Sequence, residues 1–282
     1  MTHMIACVDG SIYSDSVADH AIWAANRLAA SVELLQVLGR REALSNDLSG
    51  NITADAHAHL LAELAALDSE RAKLIQKRGR MVLDEAKARM KAAGVSEVSV
   101  TLRHGDLLQT LAEKETVADI IIIGKRGEAA DFAKGHLGSN LERVIRASHR
   151  PILVAARVFK PVSKALIAFD GGSSALKAVD QLSRSPLLSD VSLHLICVGP
   201  DETEMRRTME GAAAQLEAGG HDVALRFVSG EPAKAVASLV EKEAFDMLVM
   251  GAYGHSRIRN LVIGSTTSEL IRSCKVPVLL FR

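Results

Sequence analysis

The chain has 282 residues, enough for one large domain or for two of about 140, each able to bury its own core. Hydrophobic residues make up 48% of the chain and charged residues 24%, which excludes a disordered or fibrous protein. Lysine plus arginine and aspartate plus glutamate stand at 34 each, so the chain has no general positive field and nucleic acid is not an expected partner.

Membrane and disulfide signals are weak in this sequence. The longest apolar runs, residues 120–123 and 277–281, fall far short of the roughly 20 residues that cross a bilayer. Residues 1–10 have no signal-peptide pattern, so we expect no membrane span and a cytoplasmic location. The cysteines Cys7, Cys197 and Cys274 lie far apart in the sequence and in apolar surroundings, so we expect free thiols and no metal site.

The predicted elements occur twice in the same order. In the first half they are strand 3–10, helix 17–29 and strands 32–38, 98–105, 119–124 and 151–154. In the second half they are strand 164–171, helix 175–182 and strands 191–198, 223–230, 246–251 and 277–280. Because continuous apolar strands alternate with helical stretches, we predict an α/β protein of two tandem doubly wound (Rossmann/flavodoxin-like) domains, at 1–158 and 159–282. Each has a five-stranded, mainly parallel sheet with helices on both faces.

The two halves differ in one long segment. Residue 3 matches 164, whereas residue 119 matches 246, so the first half contains about 34 more residues between these points, which we place within 53–93. Leucines in this segment have a roughly helical spacing with charges between them, which predicts one or two long amphipathic helices. Two roles stay open, a cover for the sheet or for the other half, and a regulatory or membrane-facing arm.

A glycine-rich loop follows the fourth strand of the second half. It contains Gly251, Gly254 and, after nine further residues, Gly264 followed by Ser265, Thr266 and Thr267. Glycines permit a tight turn and the close approach of a phosphate, and the amides at the start of the next helix favour an anion. Glu269 stands three residues after Thr266, the spacing of a capping box, which predicts that this helix starts near Thr266.

This loop resembles the ATP-binding signature of universal stress proteins, and the resemblance extends over nearly the whole chain, twice. The chain is similar to tandem-domain members, the two-domain UspE-like subgroup of the UspA-like family. Asp9 and Asp170 end the first strands, and Val37 and Val198 lie near the ends of the second strands, in agreement with that family's pattern. The resemblance implies that the two halves pair through their last strands as an intramolecular pseudo-dimer, and a further homodimer stays open.

The resemblance also implies where a nucleotide would bind. Adenine is expected near Ala168 and Val198, ribose near Asp170 and Gly251, and phosphates on Gly254, Gly264, Ser265 and Thr266, with Met250, Tyr253 and Thr267 completing the second-half site. The expected ligand is ATP, or ADP or AMP, and Mg²⁺ is an option. The alternative for Asp9 and Asp170 is that they only cap the following helix, since Asp-Gly after a strand is common in turns.

The first half departs from the pattern. Gly127 is followed by ten residues, rather than nine, before Gly138. Its corresponding site consists of Asp9, Val37, Gly124, Arg126, Gly127, Gly138, Ser139 and Asn140. The longer loop contains Glu128 and Asp131, which would oppose a phosphate, and Lys125, Arg126 and Lys134, which would compensate. We therefore expect the second half to be the better-preserved nucleotide site.

Three functions stay open. The leading one is a stress-response signalling protein in which bound ATP orders the glycine-rich loop and alters a surface that an unknown protein partner reads. No general base or nucleophile lies near the loop in sequence, so we name no catalytic residue. The enzyme alternative is a weak Mg²⁺-dependent ATPase or adenylyl transferase, with Asp170 or Glu231 placing the metal. The third is an interaction scaffold or ligand carrier with degenerate pockets.

Overall fold

A computed structural model describes residues 2–39, 54–126, 138–252 and 264–282, with the side chains of residues 54–58 and 139 left out. The first half contains β1 (His3–Cys7), α1 (Ser14–Leu28), β2 (Ser31–Leu38), α2 (Ala54–Ala92), β3 (Val98–His104), α3 (Leu107–Lys114), β4 (Ile120–Gly124), α4 (Ser139–Ala147) and β5 (Ile152–Ala155). The second half contains β6 (Lys164–Ala168), α5 (Ser173–Ser183), β7 (Ser192–Val198), α6 (Thr203–Ala218), β8 (Val223–Val228), α7 (Pro232–Lys242), β9 (Met247–Gly251), α8 (Ser265–Ser273) and β10 (Val278–Phe281).

All ten described strands form one sheet, in the order β3-β2-β1-β4-β5-β10-β9-β6-β7-β8. Neighbouring strands are parallel within each half, for example Ile5 opposite Ile121. Between the halves, β5 and β10 pair antiparallel, with Val154 opposite Val278. The predicted doubly wound α/β fold is confirmed, and the last strands join the two halves. Because the strands of the halves run in opposite directions, their carboxyl edges lie on opposite edges of the sheet.

The strands are apolar in continuous runs because helices cover both faces of the sheet. Neighbouring residues of a strand therefore enter different core layers. Met4 and Leu34 belong to the layer that also contains α1 and the end of α2, whereas Ile5 and Leu35 belong to the layer with α4. Each strand residue therefore points toward one face of the sheet, and the carboxyl ends of the strands lie at the edge of the sheet.

The long segment of the first half is a single helix, α2, and not two. Gly94 and Gly220, with φ of +86° and +87°, follow α2 and α6 respectively. Counting back from these glycines, the buried Leu83 of α2 matches the buried Met209 of α6. Since α2 has 39 residues and α6 has 16, α2 contains the same helix as α6 plus 23 further residues at its amino end. We call residues 54–76 the α2 extension.

The described helices are amphipathic or short. None of the helices in the described parts of the chain has both the length and the apolar composition needed to cross a bilayer.

Candidate functional site

A cavity of about 550 Å³ opens at the carboxyl edge of the second half. This volume falls within the range of roughly 300–1,000 Å³ that is typical of small-molecule sites. It is lined by Ala168, Phe169, Asp170, Ile196, Cys197, Val198, Met205, Pro232, Val236, Met250, Gly251, Gly264, Ser265, Thr266, Thr267 and Leu270. The structure thus brings together nine of the predicted second-half residues, whereas Tyr253 and Gly254 lie outside the described residues.

The inner part of this cavity is apolar. Ala168 and Val198 end two neighbouring strands, β6 and β7, and Met250 lies on the other side of β6, on β9. Cys197 adds a buried thiol, and burial together with the charge of Asp170 raises its pKa, so the thiol stays neutral. The result is a slot suited to a flat, uncharged ring.

Asp170 follows β6 and lines the mouth of the cavity. Its Oδ1 accepts a hydrogen bond from the amide of Gly172 at 2.9 Å, so the carboxylate also braces its own turn. In the first half, Asp9 Oδ1 accepts from the Ser11 amide at 3.0 Å. Asp9 Oδ1 also accepts from the hydroxyl of Ser14, the first residue of α1, at 3.3 Å. The carboxylate of Asp170 therefore holds the turn and borders the cavity.

The first turn of α8 forms the polar wall of the cavity. The helix begins at Ser265 with Gly264 as its cap, and no side chain in the described part of the chain caps it. The capping-box prediction for Glu269 was wrong, because Glu269 lies in the second turn, beyond the position that a reciprocal cap needs. Thr267 is buried, and its hydroxyl donates to the Ala252 carbonyl at 3.2 Å, which ties the helix start to the end of β9. The free amides of this turn are suited to an anion.

Close packing explains why both fourth strands end in glycine. A Cβ on Gly251 would lie 2.8 Å from Cβ of Ser174 in α5, and a Cβ on Gly124 would lie 2.8 Å from Cβ of Tyr13, next to α1. Real Cβ atoms do not approach so closely. The strand ends can therefore meet the helix starts only without a side chain. Tyr13 occupies the first-half position that Ser174 occupies in the second, so an aromatic ring replaces a serine there.

The predicted first-half residues also lie at a carboxyl edge of the sheet. Asp9, Val37, Gly124 and Arg126 lie along the carboxyl edge of the first half, where Gly138 caps α4 and Asn140 lies in its first turn. For Ser139 only the backbone, at the start of α4, is described, and Gly127 lies outside the described residues. The guanidinium of Arg78, in α2, donates to the Gly10 carbonyl at 3.5 Å.

The side chain of Lys125 contacts the second half of the chain. Its ammonium group is buried and donates to the carbonyls of Cys274 and, at 3.2 Å, Val276 in the second half. Burial lowers the pKa of Lys125 from 10.5 to about 8. The idea that Lys125 compensates acidic loop charges was therefore wrong, because this amine anchors one half to the other.

Two other titratable groups have local structural roles. Glu231, which the enzyme alternative named as a metal ligand, caps α7 by accepting the amides of Ala233 and Lys234, both at 3.2 Å. His59 and Glu63 approach to 3.5 Å on the exposed α2 extension. In the described parts of the chain, no three His, Cys, Asp or Glu side chains form a group that could hold a metal ion.

Comparison with known proteins agrees with this repeated architecture. The sequence profile of the universal stress protein family matches residues 1–156 and again residues 161–282. The chain belongs to the universal stress protein family. Universal stress protein Slr1230 of Synechocystis sp. is 37% identical over 287 residues, covering all of both chains. Universal stress protein MJ0577 of Methanocaldococcus jannaschii is 29% identical over 79 residues, 28% of this chain and 49% of that protein.

A solved structure shows the same two-domain fold. The crystal structure of a universal stress protein from Archaeoglobus fulgidus aligns with a TM-score of 0.71 at 23% identity, covering 99% of this chain and 98% of that one. At this identity the likeness concerns the fold.

Several cavity residues were not predicted from the sequence of this universal stress protein. They are Phe169, Ile196, Cys197, Met205, Pro232, Val236 and Leu270. Phe169, Ile196 and Cys197 are sequence neighbours of Asp170 and Val198, which were predicted, so the strand ends gave a usable signal. Met205, Val236 and Leu270 lie on three different helices, and no local pattern marks a helix residue that faces a sheet edge.

Proposed function

We propose that the second half of this universal stress protein binds an adenine nucleotide, ATP, ADP or AMP, in the cavity at its carboxyl edge. The observation that carries the proposal is the meeting of three groups in one cavity: an apolar slot at Ala168 and Val198, the carboxylate of Asp170, and the first turn of α8, which no described side chain caps. These match the base, the sugar hydroxyls and the phosphates of such a nucleotide in chemical type and in order.

The chemistry of the cavity favours binding over catalysis. Among its described lining residues, Asp170 supplies the one carboxylate, and no lysine, arginine or histidine is present. The phosphates would be held by backbone amides and by the positive end of the α8 dipole. Should Mg²⁺ accompany the phosphates, Asp170 is the side chain that would receive it.

We propose a signalling role in which the binding of the nucleotide, rather than its chemical conversion, carries the signal. The glycine-rich loop connects Ala252 to Gly264. Because Thr267 ties the start of α8 to the Ala252 carbonyl, a phosphate bound at the start of α8 would act on both ends of this loop. A protein partner that reads this surface would sense the nucleotide. A cytoplasmic location fits the three cysteines, which are all free thiols.

Calorimetric titration with ATP, ADP, AMP and cyclic AMP tests the binding proposal. Asp170→Asn keeps one oxygen for the Gly172 amide but removes the charge, and it should weaken binding on the order of tenfold, as expected for the loss of a charged hydrogen-bond acceptor. Asp9→Asn is the matched change in the first half and should leave that affinity unaltered. No binding of any of the four nucleotides, or weakening by Asp9→Asn alone, would refute the proposal.

A separate measurement addresses the enzyme alternative. Phosphate release from ATP should stay at the level of the protein-free solution with and without Mg²⁺, because the described lining of the cavity offers no general base other than Asp170. Metal-dependent turnover that Asp170→Asn abolishes without a change in affinity would establish the enzyme instead.

A further inference from the structure

An apolar stripe runs from the α2 extension into the part of α2 that follows it, and most of the stripe is exposed in the described part of the chain. Leu60, Leu67, Leu74 and Met81 recur every seven residues, the repeat of a helix that packs along another helix. Leu67, Leu74 and Met81 are 63%, 67% and 63% exposed, although large apolar side chains usually avoid water. We call these four residues the seven-residue stripe. Over 21 residues it runs about 32 Å along the helix.

The stripe does not serve the core of its own chain. The core contacts of α2 come from the face that contains Leu83 and Met90, which are buried against the sheet. Met81 precedes Leu83 by two residues, which is about 200° around the helix axis. The same helix therefore has one apolar face toward its sheet and a second apolar face that is exposed in the described part of the chain.

Charges along this part of the helix are segregated by sign. Between residues 59 and 81, the acidic residues Glu63, Asp68 and Glu70 all precede the basic residues Arg71, Lys73, Lys77, Arg78 and Arg80. The helix dipole favours acids near the amino end and bases near the carboxyl end, but only within the first and last turns. These residues begin nine positions into a helix of 39, so the dipole does not account for the segregation.

We propose that residues 60–81 of α2 pair antiparallel with the same segment of a second copy of this chain. Antiparallel pairing with Leu67 packed on Leu74 places the acidic half of each helix beside the basic half of the other, with Glu63 near Lys77. Parallel pairing would instead stack Arg71 on Arg71 and acid on acid. The charge pattern therefore selects both the partner, an identical helix, and its direction.

Two lysine substitutions on the same exposed helix test the pairing. Chromatography with light scattering should give the wild type a mass twice the chain mass of 30.1 kDa, or a larger even multiple. Leu67→Lys should halve that mass, because it buries a charge in the stripe. Ser69→Lys, on the opposite, exposed side of the helix, should leave the mass unchanged, and circular dichroism checks that both variants are folded. A monomeric wild type, or a Leu67→Lys variant of unchanged mass, would overturn the proposal.

A charge exchange tests the direction. Lys77→Glu should weaken self-association roughly tenfold in sedimentation equilibrium, because each dimer loses two exposed ion pairs. Glu63→Lys combined with Lys77→Glu should restore the wild-type constant. A double variant that is weaker than the single one would exclude antiparallel pairing. A wild-type monomer that sediments with vesicles of anionic lipid would assign the stripe to a membrane surface and overturn the proposal as well.

Discussion

Lys125→Met should abolish a pH dependence of stability that the buried amine imposes on the wild type. The amine lies between the two halves, where it donates to the carbonyls of Cys274 and Val276. A neutral amine still has two N–H groups, one for each carbonyl, whereas the ammonium form has to be held out of water. The folded protein therefore favours the uncharged form more than the unfolded chain does.

The size and sign follow from the lowered pKa. Burial takes the pKa of Lys125 from 10.5 to about 8 in the folded protein, and the unfolded chain keeps the ordinary value. Below pH 8 both states are protonated, and the folded state bears the full penalty, which amounts to about 3 kcal/mol. Between pH 8 and 10.5 the unfolded chain binds more protons than the folded one, so the contribution of this residue to stability rises with pH.

Urea unfolding followed by circular dichroism measures this contribution as the difference between the wild type and Lys125→Met. The difference should shift in favour of the wild type by about 3 kcal/mol between about pH 7 and about pH 10. Lys275→Met, which changes an exposed lysine, is the matched control and should give a difference that is constant with pH. A constant difference for Lys125→Met would refute the buried position of the amine.

Three further predictions concern the strand-end glycines, a buried histidine and a helix cap. Gly251→Ala and Gly124→Ala should each lower the free energy of unfolding by about 1–3 kcal/mol, since a Cβ at either strand end forces its helix outward; an unchanged urea midpoint would contradict this packing. His20 is buried, and burial lowers its pKa from 6.5 to about 4, so stability should fall by up to about 3 kcal/mol as the pH drops through this window. His20→Leu should lose that acid sensitivity. Asp106→Ala should cost about 1 kcal/mol in urea unfolding at neutral pH, because its carboxylate caps α3 through the Gln109 amide at 3.1 Å, and a wild-type midpoint would rule out the cap.

The fold was predictable from the sequence because its signals are local. Runs such as Ile120–Gly124 are too short and too apolar for anything but a strand buried on both faces, and they return at fixed places in the second half. Parallel strands then put Ala168, Asp170, Val198 and the glycine loop on one edge without any knowledge of distant contacts. The candidate site could be anticipated to that extent.

The remaining features depend on groups far apart in the chain. The amine of Lys125 was assigned to its own loop, yet it reaches carbonyls about 150 residues away, and only the joining of the halves through β5 and β10 places it there. The opening of α8 after Gly264 was predicted, but the capping box with Glu269 does not form. Thr267, a member of the predicted site, donates its hydroxyl to the Ala252 carbonyl, just after β9. Such contacts depend on tertiary packing, which sequence spacing does not contain.

The antiparallel junction of β5 and β10 also determines how the molecule meets others. Because it reverses the second half relative to the first, the two carboxyl edges open in opposite directions. A partner bound at one edge leaves the other edge accessible, so a single chain is geometrically bivalent. Duplication in this orientation gives the chain two separate carboxyl edges, whereas two domains joined side by side in the same direction would have both edges on a single shared face.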